Sequence, residues 1–104
     1  MSRKTGPMIV VLLDLDLHLP GLGSLKEKRG VVKSAIATLR RELNVSVAEV
    51  DHQDLWQRAG LGVAIAATSE VGGRKVAQQV EAMLGRDPRL EVVDVTVDVV
   101  AGEP

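Results

Sequence analysis

From Ile9 to Leu17 every odd-numbered position is apolar, while the even positions end in Asp14, Asp16 and His18. A two-residue period of this kind belongs to a strand with one buried face and one that turns polar toward its end. The period returns in Leu61–Thr68, where Leu61, Val63, Ile65 and Ala67 alternate with Gly62, Ala64, Ala66 and Thr68. It returns again in Leu90–Val100, with Val93, Val95, Val97 and Val99 set against Asp94, Thr96 and Asp98. A fourth stretch, Val45–Val50, is short and rich in β-branched residues, as strands are.

Two helices interrupt these strands. Ser24 starts the first, with Glu27 completing a capping box. Leu25, Val32, Ile36, Leu39 and Leu43 share a narrow arc at 100° per residue, and the helix should end near Asn44. Gly72-Gly73 punctuates the chain before a second, shorter helix carrying Val76, Val80, Met83 and Leu84, stopped by Gly85 and Pro88. The order β-α-β-β-α-β predicts an α+β, ferredoxin-like fold: a four-stranded antiparallel sheet with both helices on one face. Residues 8–100 are expected to form a single domain, with 1–7 and 101–104 as flexible tails. The topology ends the first and second strands at one edge. Loops 18–24 and 51–60, the start of the first helix and the turn 85–89 should therefore cluster there.

Composition narrows the chemistry. The absence of cysteine removes disulfides, thiolate nucleophiles and cysteine-ligated zinc. The apolar run Met8–Leu13 is far too short to span a membrane, and Asp14 and Asp16 break any signal-like stretch behind the basic residues of 2–7. A cytoplasmic protein without a membrane partner is expected. Met8-Ile-Val, Ser24-Leu-Lys-Glu-Lys-Arg29, Ser46-Val-Ala-Glu-Val-Asp-His-Gln-Asp-Leu-Trp-Gln-Arg-Ala59, Leu61-Gly-Val-Ala64 and the acidic, valine-rich close together resemble the YlxP-like family of small uncharacterised bacterial proteins. The resemblance spans residues 8–100. It implies a ferredoxin-like fold and a loose association with translation, and it assigns no activity.

The formal net charge of −1 hides a segregation. Between Ser24 and Leu43 six basic residues face two acids, a net of +4, which leaves −5 for the remainder. Lys26, Arg29, Lys33 and Arg40 recur at spacings of three, four and seven, forming one stripe beside the apolar arc. Such a stripe suits phosphates along an RNA backbone, or it is a solvated helix face. The polar stretch 51–60 offers His52, Gln53, Asp54, Trp56, Gln57 and Arg58, which hydrogen-bond, titrate and stack. The alternative for that stretch is that Leu55 and Trp56 anchor it on the core. Gly21-Leu-Gly-Ser-Leu-Lys26 resembles a small anion cradle but lacks the spacing of a phosphate-binding loop, and an ordinary strand-to-helix turn explains it better.

Catalysis finds little support. His18 and His52 are the only histidines, and no ligand spacing joins them into a metal site. No catalytic residue, metal or cofactor is expected. The acylphosphatase pattern, which would need an arginine in residues 19–23 and an asparagine on a strand, fails on both counts. The face of the sheet away from the helices should show Asp14, Asp16, Asp94 and Asp98 beside Gly62, Ala64 and Ala66, without the aromatics on which RNA-recognition motifs stack bases. The expectation is a binding module, not an enzyme, that contacts RNA or a ribosomal particle through the basic first helix and the 51–60 loop. The alternative is a homodimeric protein-interaction module using the open sheet face or the edge strand 45–50.

Overall fold

In a computed structural model, which describes residues 8–102, six elements follow one another. They are β1 (Ile9–His18), α1 (Leu25–Glu42), β2 (Ser46–Asp51), β3 (Arg58–Ala67), α2 (Glu70–Gly85) and β4 (Glu91–Ala101). The strands form one antiparallel sheet in the order β2-β3-β1-β4. The helices cover one face, α1 over β2 and α2 over β1, β3 and β4. This is the expected ferredoxin-like α+β architecture. Ala101 closes β4, and the Gly102 N–H donates to the Met8 carbonyl at 2.7 Å, so the ordered chain runs past residue 100, where a tail was expected. Residues 1–7 and 103–104 lie outside the described residues.

The alternation in β1 places Val11, Leu13, Leu15 and Leu17 in the core, continued by Leu19. From β3 come Ala59, Leu61, Val63 and Ile65, from α1 Val32, Ala35 and Leu39, and from α2 Ala77, Val80 and Leu84. Removing each such leucine from water contributes about 1.5–3 kcal/mol. In β4 the parity shifts. The ladder to β1 slips between Asp16 and Leu17, so Leu17 faces Val92 while Asp16 faces Asp94. Val93 is the extra residue of this bulge and lies 55% exposed, whereas Val92 joins Val95 and Val99 against the core. The expectation that Val93 faces the helices is thus corrected.

Two boundaries also move. Gly72 and Gly73 lie inside α2, whose N-cap is Ser69, its hydroxyl accepting from the Gly72 N–H. The glycines allow close approach rather than a break: a Cβ on Gly73 would come within 2.6 Å of Val11 Cγ2. β3 begins at Arg58, three residues before Leu61, because β1 continues to His18 and pairs with it. The polar connection therefore shortens to residues 52–57. At its base β2 slips in register between Glu49 and Asp51, bringing Asp51 Cβ to 2.7 Å from where a Cβ on Gly60 would sit.

Candidate nucleic-acid interface

The first helix starts as its sequence dictates. The Ser24 hydroxyl accepts from the Glu27 N–H at 3.1 Å, and the Glu27 carboxylate accepts from the Gly23 N–H at 3.4 Å. That carboxylate sits where an anion would sit in the cradle of residues 21–26, so this turn is a cap.

Of the six basic side chains of α1, Lys28 is not on the surface. It is 1% exposed and follows the helix period of Val32, Ala35 and Leu39 into the interior. Its Nζ lies 2.8 Å from Glu49 Oε2 and also donates to the His52 carbonyl. Glu49 shares the inward parity of Val47 on β2, so the pair closes the interior beneath the helix start. The contact to Glu49 is an ion pair without aligned hydrogen-bond geometry.

Lys26, Arg29, Lys33 and Arg40 are all exposed along one side of α1. Among the described residues none of the four has a carboxylate partner. Lys75 and Arg86 are the other described cations in that condition. The acids of α1 are engaged elsewhere: Glu27 in the cap, Glu42 with Arg41 at 3.2 Å. Arg40 donates one Nη2 bond, 2.7 Å, to the Val47 carbonyl on the outer edge of β2. Between α1 and β2 runs a groove of about 520 Å³, floored by Val32, Ile36 and Val47 and flanked by Arg29, Lys33 and Arg40.

Gln53 ties the 52–57 loop to Glu49, which lines this groove. His52 adopts a left-handed φ of 58°, one that histidine tolerates better than most residues. Its N–H donates to Asp51 Oδ1 at 2.8 Å, and its carbonyl accepts from both Lys28 and the Leu55 N–H. The Gln53 amide donates to the Glu49 carbonyl at 3.2 Å, and the Leu19 N–H donates to the Gln57 carbonyl at 2.8 Å. Polar bonds, not apolar anchoring, hold the loop. Leu55 is 49% exposed and Trp56 50%, so the reading in which they dock on the core is corrected. Asp54, Trp56 and Gln57 stand at the surface.

Arg58 belongs to β3, on the open sheet face, where it pairs with Asp16. His52 Nε2 lies 3.4 Å from the other Asp16 oxygen and 3.8 Å from Asp51 Oδ2. Asp16, Asp51 and His52 edge a cleft of about 180 Å³ that also includes Asp14, Asp94 and Thr96, whereas Arg58 lies outside it. His18 instead faces Glu91 at 3.8 Å. Among the described residues no group of three histidines or carboxylates has metal-site geometry. The four aspartates share the open face as expected, but Asp94 and Asp98 turn to the sheet edge, accepting from the N–H groups of Val95 and Val99. Leu19 bonds to the 52–57 loop, Lys28 near the start of α1 bonds to His52, and His18 pairs with Glu91 just after the turn, so these segments meet at one edge; Arg89 of that turn reaches α1 at Ser34, in mid-helix. No helix is long and apolar enough to cross a membrane among the described residues.

Comparison with known proteins places the chain in a family. The "Uncharacterized protein YlxP" of Bacillus subtilis (strain 168) is 41% identical over 69 residues, covering 66% of this chain and 75% of that protein. A de novo designed protein, Foldit4, superposes with a TM-score of 0.49 at 13% identity, over 93% of this chain and 98% of its own. A family model matches residues 10–97, which hold both helices, β2, β3, nearly all of β1 and the first seven residues of β4. On that match the chain belongs to the family described as protein of unknown function DUF503.

Proposed function

We propose that this protein is a binding module, not an enzyme, that contacts RNA or a ribosomal particle through α1 and the 52–57 loop. The observation that carries the reading is the row Lys26, Arg29, Lys33 and Arg40, exposed and without carboxylate partners among the described residues. Cations neutralised within the fold have nothing left to offer a phosphate; these four do. Charge reversal at Lys26, Arg29 and Lys33 together should abolish co-sedimentation with ribosomal particles at low salt while leaving thermal unfolding unchanged. If the variant sediments like the wild type, or the wild type stays in the supernatant, the reading is wrong.

A second reading, a homodimer, draws support from the open sheet face. Leu12, Val50 and Val100 are 39%, 56% and 48% exposed there, beside Ala48, Ala64 and Ala66. The edge-strand form has less behind it, since Arg40 and Gln53 already occupy the outward carbonyls of Val47 and Glu49. Sedimentation equilibrium across micromolar concentrations tests it: a constant monomer mass removes the dimer, and a Leu12→Glu variant should dissociate one that forms.

A further inference from the structure

The same surface carries a feature that phosphate contacts alone leave unused. We infer that the α1–β2 groove and Trp56 recognise unpaired nucleotides, making the RNA that this module binds single-stranded. The inference rests on the proposed RNA contact and narrows its ligand.

Two elements carry it, of which the groove is the first. The groove of about 520 Å³ falls within the roughly 300–1,000 Å³ of ordinary ligand clefts, and its floor of Val32, Ile36 and Val47 is apolar. Its flanks supply Arg29, Lys33 and Arg40, and the helix rise of 1.5 Å per residue spreads Lys26 to Arg40 over about 21 Å, enough to follow a backbone past several bases. The carboxylate in the groove belongs to Glu49, and the buried Lys28 ammonium compensates it from beneath. A phosphate alongside therefore meets net positive charge.

The second element is the loop. Gln53 fastens it to the carbonyl of Glu49, which lines the groove, and Trp56 stands half-exposed on the loop, edging a shallow hollow with Asp54, Gln57 and Arg58. A half-exposed indole held on a hydrogen-bonded loop is a stacking surface for any base. A duplex keeps its bases stacked inward and would meet only the cations. An unpaired strand can lay bases on the apolar floor and on the indole while its phosphates meet the arginines and lysines. The surface thus offers each part of a single strand a chemically matched contact.

The chain has one tryptophan and no tyrosine, so its fluorescence reports on Trp56 alone. A labelled oligouridine and a labelled RNA duplex of equal length are titrated with the intact protein, following label anisotropy and tryptophan emission together. The inference expects the single strand to bind at least about tenfold more tightly than the duplex and to quench the emission. Trp56→Ala should weaken the single strand by about tenfold with unchanged thermal unfolding, and Trp56→Phe should restore most of it. Equal binding of duplex and single strand without quenching overturns the single-strand inference and leaves the RNA reading standing. Binding of neither RNA overturns both. If polyglutamate competes as well as oligouridine, the groove is a site for acidic protein segments and the inference is again overturned.

Discussion

Lys28 decides how much of the basic helix is available. Its stem packs with Val32, Ala35 and Leu39, and its ammonium holds Glu49 and the His52 carbonyl together. Replacing Lys28 by Met should cost about 2–4 kcal/mol in urea unfolding, because it strands a mostly buried carboxylate. Adding Glu49→Leu should recover much of that loss, since removing both charges also removes their desolvation. A double variant no more stable than the single one would show the pair to be unimportant. The placement was legible in principle, because Lys28 lies four residues before Val32 and Glu49 two after Val47, on the inward parities of their elements. A lysine on an apolar arc is discounted when read alone; only the pairing across two elements reveals it. A second residue-scale prediction concerns the turn before β4. Arg89 donates to both oxygens of Asp87, and these hydrogen bonds hold the carboxyl below its ordinary range. A depressed pKa contributes stability above the unfolded value of about 3.9, and that contribution is lost as pH falls through the folded value. Asp87→Asn should therefore be less stable than wild type at neutral pH, with the gap closing in acid melts below about pH 4. A gap independent of pH would count against the ion pair.

At the scale of elements, the hydrophobic periods located three strands and both helices, β-branched content located β2, and the capping box located the start of α1. They missed where one element presses on another. The bulge that exposes Val93 arises from pairing with β1, and no local pattern in β4 announces it. Gly72-Gly73 looked like a breaker because glycine is costly in a helix by about 1 kcal/mol relative to alanine. In the fold that cost is offset at Gly73 by the approach of α2 to Val11 and Ala67. Gly73→Ala should gain helix propensity yet lose net stability, by about 1–2 kcal/mol, since Val11 is fully buried and has no room to retreat. In a double-mutant cycle with Val11→Ala the penalty should shrink or reverse, measured by thermal unfolding. Additive effects would mean that the helix shifts bodily and the contact does not constrain it. The sheet edges follow the same logic. Arg40 and Gln53 cover outward carbonyls of β2, and Asp94 and Asp98 cover outward N–H groups of β4, so polar side chains blunt both edges.

The whole molecule is electrically two-sided. Cations without carboxylate partners among the described residues line α1, and Asp14, Asp16, Asp94 and Asp98 stand on the opposite, open face of the sheet. The charge arithmetic of the sequence foretold the segregation. It could not foretell that Lys28 would be cancelled within the fold, or that Arg58 would leave the loop for an ion pair with Asp16. What survives is a narrower stripe than six basic residues suggested, with the Glu49 carboxylate beside it compensated by Lys28. A sequence pI of about 6.1 leads one to expect no retention on a polyanionic matrix at pH 7. Local potential outweighs net charge when like charges share a face and the Debye length is about 10 Å, because the opposing aspartates lie on the far side of the sheet. The protein should therefore be retained on phosphocellulose at low ionic strength and leave it as salt rises. Arg29→Glu with Lys33→Glu should pass straight through. Replacing two aspartates of the open face, Asp14→Asn with Asp94→Asn, changes net charge by half as many units, and in the opposite direction. It should raise retention only slightly, because those carboxylates face away from the matrix. If both pairs shifted elution in proportion to net charge, the molecule would behave as a uniform sphere and the stripe would have no separate existence as a binding surface.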